Sequence, residues 1–396
     1  MPDANQEKRK EMGLALYVHW PFCLSKCPYC DFNSHVREKI EQPRWEQALL
    51  AALDHAAEEA PGRKLASLFF GGGTPSLMAP STAARVIERA KAHWPADENL
   101  EVTLEANPTS VEAGRFAAFA EAGVNRLSLG VQALRDEALR FLGREHSVRE
   151  ALAALDIAKG AFPRVSFDLI YGRPEQTLAA WREELGEALA LADGHFSVYQ
   201  LTIEPGTAFF QQHKARTLSV PDATAGARLY EATQTVAEEA GFSAYEISNH
   251  ARPGQECRHN LAYWRGEEYV GIGPGAHGRI GGRNPKEPRR ALQDIRLPER
   301  WLEAVEARGH GVEADTPLDA GDRFSEFVMM GLRLREGIAR ANLRHKFGLE
   351  VETAFSADAL SALLAGGFLL LDDRGLRASA KGRLRLDAVL ARLLGD

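Results

Sequence analysis

The sequence predicts an α/β protein: an open, partial (β/α)6 barrel followed by a smaller, mostly helical and winged-helix-like C-terminal domain. Three observations predict it. Short apolar runs alternate with longer amphipathic ones through Ala240. Several of the short runs are apolar nearly throughout, as strands covered on both faces are. From Ser243 onward the alternation gives way to loop-like stretches, then to helical periodicities that end in a short hairpin pattern.

The strands, in order, are Leu14–His19, Leu65–Phe70, Glu101–Glu105, Arg126–Leu129, Val165–Ile170 and Ser197–Ile203. Between and after them, apolar residues recur at helical spacing over Trp45–Glu59, Ser81–His93, Ser110–Ala122, Val148–Lys159, Leu178–Leu191 and Asp222–Ala240. Ser81 offers a capping hydroxyl, and Gly123, Gly160 and Gly241 stand where a glycine closes a helix. Six βα units with right-handed crossovers give a parallel sheet, and six strands rather than eight leave it open; a Rossmann-like sheet is the alternative. In either, functional groups belong at the C-terminal strand ends.

Phe242–Ser248 reads as a further strand, Cys257–Trp264 and Tyr269–His277 as loops, and the basic, proline-containing segment 281–298 as a surface linker. The chain then divides into a polar tail (1–13), the barrel with its extension (14–280), the linker (281–298) and a C-terminal domain (299–396). Helices at Pro298–Ala307, Asp322–Leu334, Arg340–Phe347 and Ala357–Ala365 precede a hairpin of Phe368–Asp372 and Gly375–Ala378 and a last helix.

Composition excludes several classes. The net charge of −7 gives no sign of a large basic surface for nucleic acid. No apolar run spans a bilayer, and the N-terminus lacks the apolar core of a secretory signal. Three of the four cysteines crowd into one run, which argues against a disulfide framework and fits a reducing cytoplasm.

That run, Cys23-Leu-Ser-Lys-Cys27-Pro-Tyr-Cys30, carries the chemistry. Three thiolates on one loop can hold three irons of a 4Fe–4S cluster and leave the fourth open to a ligand that is not protein. This is the arrangement needed to bind S-adenosylmethionine (SAM) and split it by one-electron reduction. A disulfide would leave one cysteine over, and a structural zinc would need His19 or His35 as fourth ligand. Tyr17, Trp20, Phe22, Tyr29 and Phe32 supply an aromatic wall. Gly71-Gly72-Gly73-Thr74-Pro75 follows a strand, and its backbone can approach a ligand closely and present N–H groups to it. Glu105, Gln132 and Asp168 lie at or near successive strand ends, with Arg144 one helix after Gln132. Together they read as a lined pocket, and Asp168, inside an apolar run, needs a polar partner. In Cys257-Arg-His259-Asn-Leu-Ala-Tyr-Trp264, a His or Cys beside two aromatics suits an iron porphyrin; a loop packed on the barrel is the plainer reading.

Cys23, Cys27 and Cys30 with Gly71–Pro75 resemble the radical SAM superfamily. Tyr17-Val-His-Trp-Pro-Phe-Cys23, Gly130-Val-Gln132, Asp168-Leu-Ile-Tyr-Gly172 and Gly271-Ile-Gly-Pro-Gly275 look like the oxygen-independent coproporphyrinogen III oxidase group. Within it the chain is similar to the HemW heme chaperones. The oxidases place a fourth cysteine where Phe32 stands, and HemW proteins share the pattern present here as His259-Asn-Leu-Ala-Tyr-Trp264.

The resemblance implies cluster ligation by Cys23, Cys27 and Cys30, and SAM contacts from Tyr17, Gly72 and Glu105. It matches Gly73, Thr74, Gln132, Arg144 and Asp168 to positions that contact a second SAM in the oxidases. It makes His259 the leading heme ligand, with Cys257 behind it. It further implies a cytoplasmic heme chaperone that delivers heme to respiratory-chain apoproteins through peripheral contact with the inner membrane, with dimers within the family's range. The alternatives are a coproporphyrinogen III dehydrogenase and a methyltransferase that opens the heme ring.

Overall fold

The computed structural model describes residues 13–282 and 287–395. The tail read before Gly13 and residues 283–286 of the linker reading lie outside the described residues.

All six expected strands form: β1 (Gly13–Trp20), β2 (Lys64–Gly72), β3 (Ala96–Ala106), β4 (Arg126–Gln132), β5 (Arg164–Tyr171) and β6 (His195–Gln200). They pair in that order, all parallel. The first strand shows why. Leu14, Leu16 and Val18 are buried with Leu68, Phe70, Leu104 and Leu127 of its neighbours under the helices. The alternate residues Tyr17, Ser67, Phe69, Glu105, Ser128 and Asp168 turn to the other face. The curled sheet is thus apolar outside and polar inside.

Beyond β6 come β7 (Ser243–Ala244), β8 (Asn249–Ala251), β9 (Glu268–Ile272), β10 (His277–Ile280), β11 (Arg290–Asp294) and β12 (Val312–Pro317). The full sheet has twelve strands in the order β12-β11-β10-β9-β1-β2-β3-β4-β5-β6-β8-β7, and it does not close. Several sequence readings are corrected here. The Tyr269–His277 stretch is no plain loop: β9 pairs parallel with β1 and adds a seventh parallel strand. Cys257–Trp264 contains a helix, Arg258–Trp264. The segment read as a linker contains β11, which pairs with β10 and β12 in the sheet's antiparallel extension. The helix Pro298–Arg308 packs with the barrel, because Trp301 stacks on Trp45 at 5.7 Å and donates to Asp294 at 2.7 Å.

Other differences are local. The helix Pro80–His93 begins after Ala79 and Ser81 makes no cap hydrogen bond, because Pro80 already sets the first turn. Ser110–Ala122 breaks into Ser110–Ala113 and Phe116–Glu121. Gly160 lies inside the helix Val148–Ala161, while Gly123 and Gly241 take the left-handed conformation that ends a helix.

A second core begins at Phe327. The helices Ala320–Gly331, Arg340–Phe347, Ala357–Ala365 and Leu386–Leu394 surround a small antiparallel sheet of β13 (Ile338–Ala339), β14 (Leu369–Leu371) and β15 (Gly375–Ala378). Lys346 Nζ caps the end of the helix Arg258–Trp264 by donating to the carbonyls of Arg265 (2.9 Å) and Gly266 (2.8 Å). Arg383 donates to the Glu246 carbonyl at 2.6 Å, and Ile247 packs against the second core. Among the described residues no helix is long and apolar enough to cross a membrane.

Candidate functional site

The cysteine loop leaves the C-terminal end of β1. A short parallel ladder of Phe22–Cys23 with His35–Val36 closes its base. Its tip is seated from below: the Phe209 N–H donates to the Pro28 carbonyl at 2.9 Å, and Pro28 lies against Gly143. A Cβ on Gly143 would come within 2.5 Å of Pro28, and its φ of +67° suits glycine alone. Cys23, Cys27 and Cys30 are free and partly exposed.

The glycine run holds the loop's other side. Gly73 N–H donates to the Trp20 carbonyl (2.7 Å), Thr74 N–H to that of Phe22 (2.8 Å), and Gly72 N–H to Glu105 Oε2 (3.2 Å). A Cβ on Gly73 would approach the Phe22 carbonyl oxygen to 2.7 Å. The N–H groups expected to face a ligand are therefore spent on the protein, so the glycines serve the close packing of β2 against the cysteine loop.

Three cysteines, Gly72, Gly73, Thr74, Glu105, Gln132, Arg144 and Asp168 all line one cavity of about 610 Å³ at the C-terminal strand ends. Thr74 Oγ1 donates to Cys23 Sγ at 3.4 Å. Arg144 donates from Nη1 to Cys27 Sγ at 3.3 Å and from Nη2 to Asn107 Oδ1 at 2.5 Å and the Gly130 carbonyl at 3.0 Å. Burial raises the Cys23 thiol above its ordinary pKa, and the Thr74 bond offsets part of that rise. Gln132 sits at a bulge in β4 with φ +72°, unusual for a residue with a side chain. Its Oε1 and the Arg144 Nε are buried without a partner.

Two carboxylates stand at the cavity floor. Burial, with Asp168 as a like-charged neighbour, pushes Glu105 up to about 8. Burial raises Asp168 to about 6, held back by the Ser197 and Ser128 hydroxyls and by Arg126 and Arg144. Asp168 thus has the polar partners that its apolar surroundings demand.

Tyr17 and His259 lie elsewhere, outside the cavity lining. Tyr17 donates to or accepts from His19 Nδ1 at 3.0 Å, and His19 Nε2 bonds the Asn33 carbonyl at 2.9 Å. With both nitrogens used, His19 cannot serve as fourth ligand of a zinc. Among the described residues no group of three or more His, Cys, Asp or Glu side chains is arranged around a single ion. His259 is 2 % exposed; its Nδ1 bonds Ser67 Oγ and its Nε2 Tyr263 Oη, each at 3.0 Å. Burial lowers its pKa to about 3, so the ring is neutral. Cys257 is wholly buried and pushed up to about 12, donating to Glu101 Oε1 at 3.4 Å. Neither has a free face for a heme iron, because the helix Arg258–Trp264 turns them inward beneath the barrel.

The aromatic wall also divides. Trp20 and Phe22 pack edge-on with Trp45 in the outer core, Tyr29 lies against Phe209, and Phe32 is 61 % exposed at the cavity mouth. Sequence reasoning missed Asn107, Ser128, His146 and Tyr199, which share the lining. Asn107 lies two residues after Glu105 and Tyr199 is next to last in β6, so strand-end position was the available signal.

Comparisons with known proteins place the chain in a family. Residues 17–188 match the Radical SAM superfamily and residues 318–385 the HemN C-terminal domain. The Escherichia coli protein named heme chaperone HemW is 36% identical, over 97% of this chain and 98% of its own. This chain belongs to the HemW family of radical SAM proteins. Another relative, the mitochondrial radical S-adenosyl methionine domain-containing protein 1 of Danio rerio, is 40% identical over 96% of this chain and 86% of its own. Coproporphyrinogen III oxidase (HemN) from Escherichia coli shares the fold, with a TM-score of 0.80, 23% identity, and coverage of 98% of this chain and 92% of that one.

Proposed function

We propose that this chain is a heme chaperone that holds a 4Fe–4S cluster on Cys23, Cys27 and Cys30, binds SAM in the adjoining cavity, and passes heme to respiratory-chain apoproteins by peripheral contact at the inner face of the membrane. One observation carries the reading: three free thiols and no fourth cysteine stand at the mouth of a cavity floored by two carboxylates. When bound, the cluster supplies an iron open to the amino and carboxylate groups of SAM and a one-electron redox couple.

The chain's own residues do the rest. Thr74 and Arg144 donate to the sulfurs of Cys23 and Cys27 and orient them toward the cavity. Glu105 and Asp168 offer carboxylate oxygens to the cationic parts of SAM. Because Thr74 and Arg144 already serve the sulfurs, one SAM rather than two is the better match to this cavity.

Anaerobic reconstitution with iron and sulfide, followed by heme titration and an assay on coproporphyrinogen III, tests the proposal. Cluster formation and heme binding without decarboxylation are expected. Turnover of coproporphyrinogen III would replace chaperone by dehydrogenase, and loss of the heme spectrum under reduction with SAM would point to ring opening.

The raised carboxyls give a pH signature. Glu105 moves from 4.5 to about 8 and Asp168 from 3.8 to about 6 on folding. The folded chain holds more protons on these two groups than the unfolded one in this range, so their contribution to stability is full below about pH 4 and declines as pH rises toward 8. Glu105→Gln should flatten the upper part of the decline in thermal melts of the cluster-free protein. A cationic ligand lowers both values, so SAM should bind with proton release near pH 7. Calorimetry in buffers of differing ionisation enthalpy measures it; uptake or no exchange would contradict the assignment of these carboxyls to the SAM site.

A further inference from the structure

His259 does not line the cavity, but it is tied to strands that do. Its ring lies 5.0 Å from Phe69 and 6.2 Å from Tyr17, centroid to centroid. Nδ1 ties it to Ser67 on β2, the strand that ends in the glycine run. Its backbone N–H donates to Glu101 Oε1 on β3, the strand that carries Glu105 near its end. From Tyr17 the hydrogen bonds continue through His19 to Asn33, three residues past Cys30. Asn33 Nδ2 in turn donates to the carbonyls of Pro274 (2.8 Å) and Arg296 (2.9 Å). The helix Arg258–Trp264 is thus a plug under the polar interior, and His259 is its point of attachment to β1, β2 and β3 at once.

We propose that His259 is a positioning residue, joining the barrel floor to the cysteine loop and the SAM-binding strand ends, and not an axial heme ligand. Ligation through either nitrogen would break a buried hydrogen bond to Ser67 or Tyr263 and would bring a macrocycle into a closely packed interior. The imidazole instead holds Ser67 on β2 and packs on Phe69 and Tyr17, while the backbone N–H of the same residue holds Glu101 on β3, so the residue ties together three strands whose ends carry Gly72, Glu105 and the cysteines. The inference rests on the cluster and SAM reading above, and the two fail separately.

The test uses reconstituted full-length protein with two readouts: the heme Soret band on titration, and the EPR signal of the reduced cluster with and without SAM. His259→Ala should leave the Soret position and stoichiometry unchanged while SAM binding weakens about tenfold, the loss of one or two buried hydrogen bonds. His259→Gln, whose amide can restore the bond to Ser67, should recover most of that loss. Ser67→Ala, which cuts the Nδ1 bond and leaves His259 in place, should reproduce part of the SAM effect and keeps the test decisive if His259→Ala does not fold. A lost or shifted Soret band in His259→Ala or His259→Gln, or a SAM response unchanged in His259→Ala and Ser67→Ala, overturns the inference. Failure of the unmutated protein to take up a cluster overturns the earlier reading instead.

Discussion

Replacing Cys27 by Ser is expected to abolish cluster binding while leaving the fold intact. The two halves of that expectation have separate causes. A serine oxygen is a harder and more basic donor than a thiolate and does not hold an iron of a 4Fe–4S cluster in its place. With three protein ligands there is none to spare, so iron after anaerobic reconstitution should fall from about four per chain to below one. Cys27 is partly exposed, on a loop closed by its own ladder and by the Phe209-to-Pro28 hydrogen bond. Its Sγ accepts from Arg144 Nη1, a role that a serine oxygen can take over. The circular dichroism and melting temperature of the cluster-free variant should therefore match those of the parent within error. Iron analysis and the visible absorption of the reconstituted protein decide it. Retention of a full cluster in Cys27→Ser would show that another residue ligates and that the three-cysteine reading is incomplete.

The same loop shows what was readable in the sequence. The spacing of Cys23, Cys27 and Cys30 is local, so it survives any arrangement of the rest of the chain. The six parallel strands were equally legible, since apolar alternation and intervening helices fix them without knowledge of neighbours. β9 escaped because Glu268–Ile272 is short, carries Gly271 and gains its strand character only by pairing with β1, about 250 residues earlier. β11 escaped for the same reason, among arginines and prolines that read as a surface connection. Side-chain direction was the larger loss. Glu105 and His259 look equally functional in sequence, yet one faces the cavity and the other supports it from below. The glycine run was found for its flexibility, while its use here is close approach to the Phe22 carbonyl.

Glu101→Ala should produce the largest loss of stability of any single change in the barrel. Glu101 is 2 % exposed, beneath the site on the strand that carries Glu105. One oxygen accepts from Arg164 Nη1 at 2.6 Å, the other from the His259 N–H at 3.2 Å and the Cys257 thiol at 3.4 Å. Arg126, 3 % exposed, is held by the charges of Glu101 and Asp168. Despite complete burial, the carboxyl of Glu101 is kept below its ordinary pKa, because Arg126 and Arg164 outweigh desolvation. Removing it takes a counter-charge from both Arg126 and Arg164 and strands the His259 N–H. A broken buried ion pair of this kind costs about 3–5 kcal/mol, several times what an exposed pair is worth. Glu101→Gln keeps an acceptor for the N–H groups but not the charge, so it should fall between parent and alanine. Denaturant unfolding of the three proteins, with Arg164→Ala and the double variant to close a cycle, separates the ion pair from the hydrogen bonds. A loss below about 1 kcal/mol in Glu101→Ala would mean that water fills the site and that the barrel floor is not the closed polar core on which the placement of His259, and through it the cysteine loop, depends.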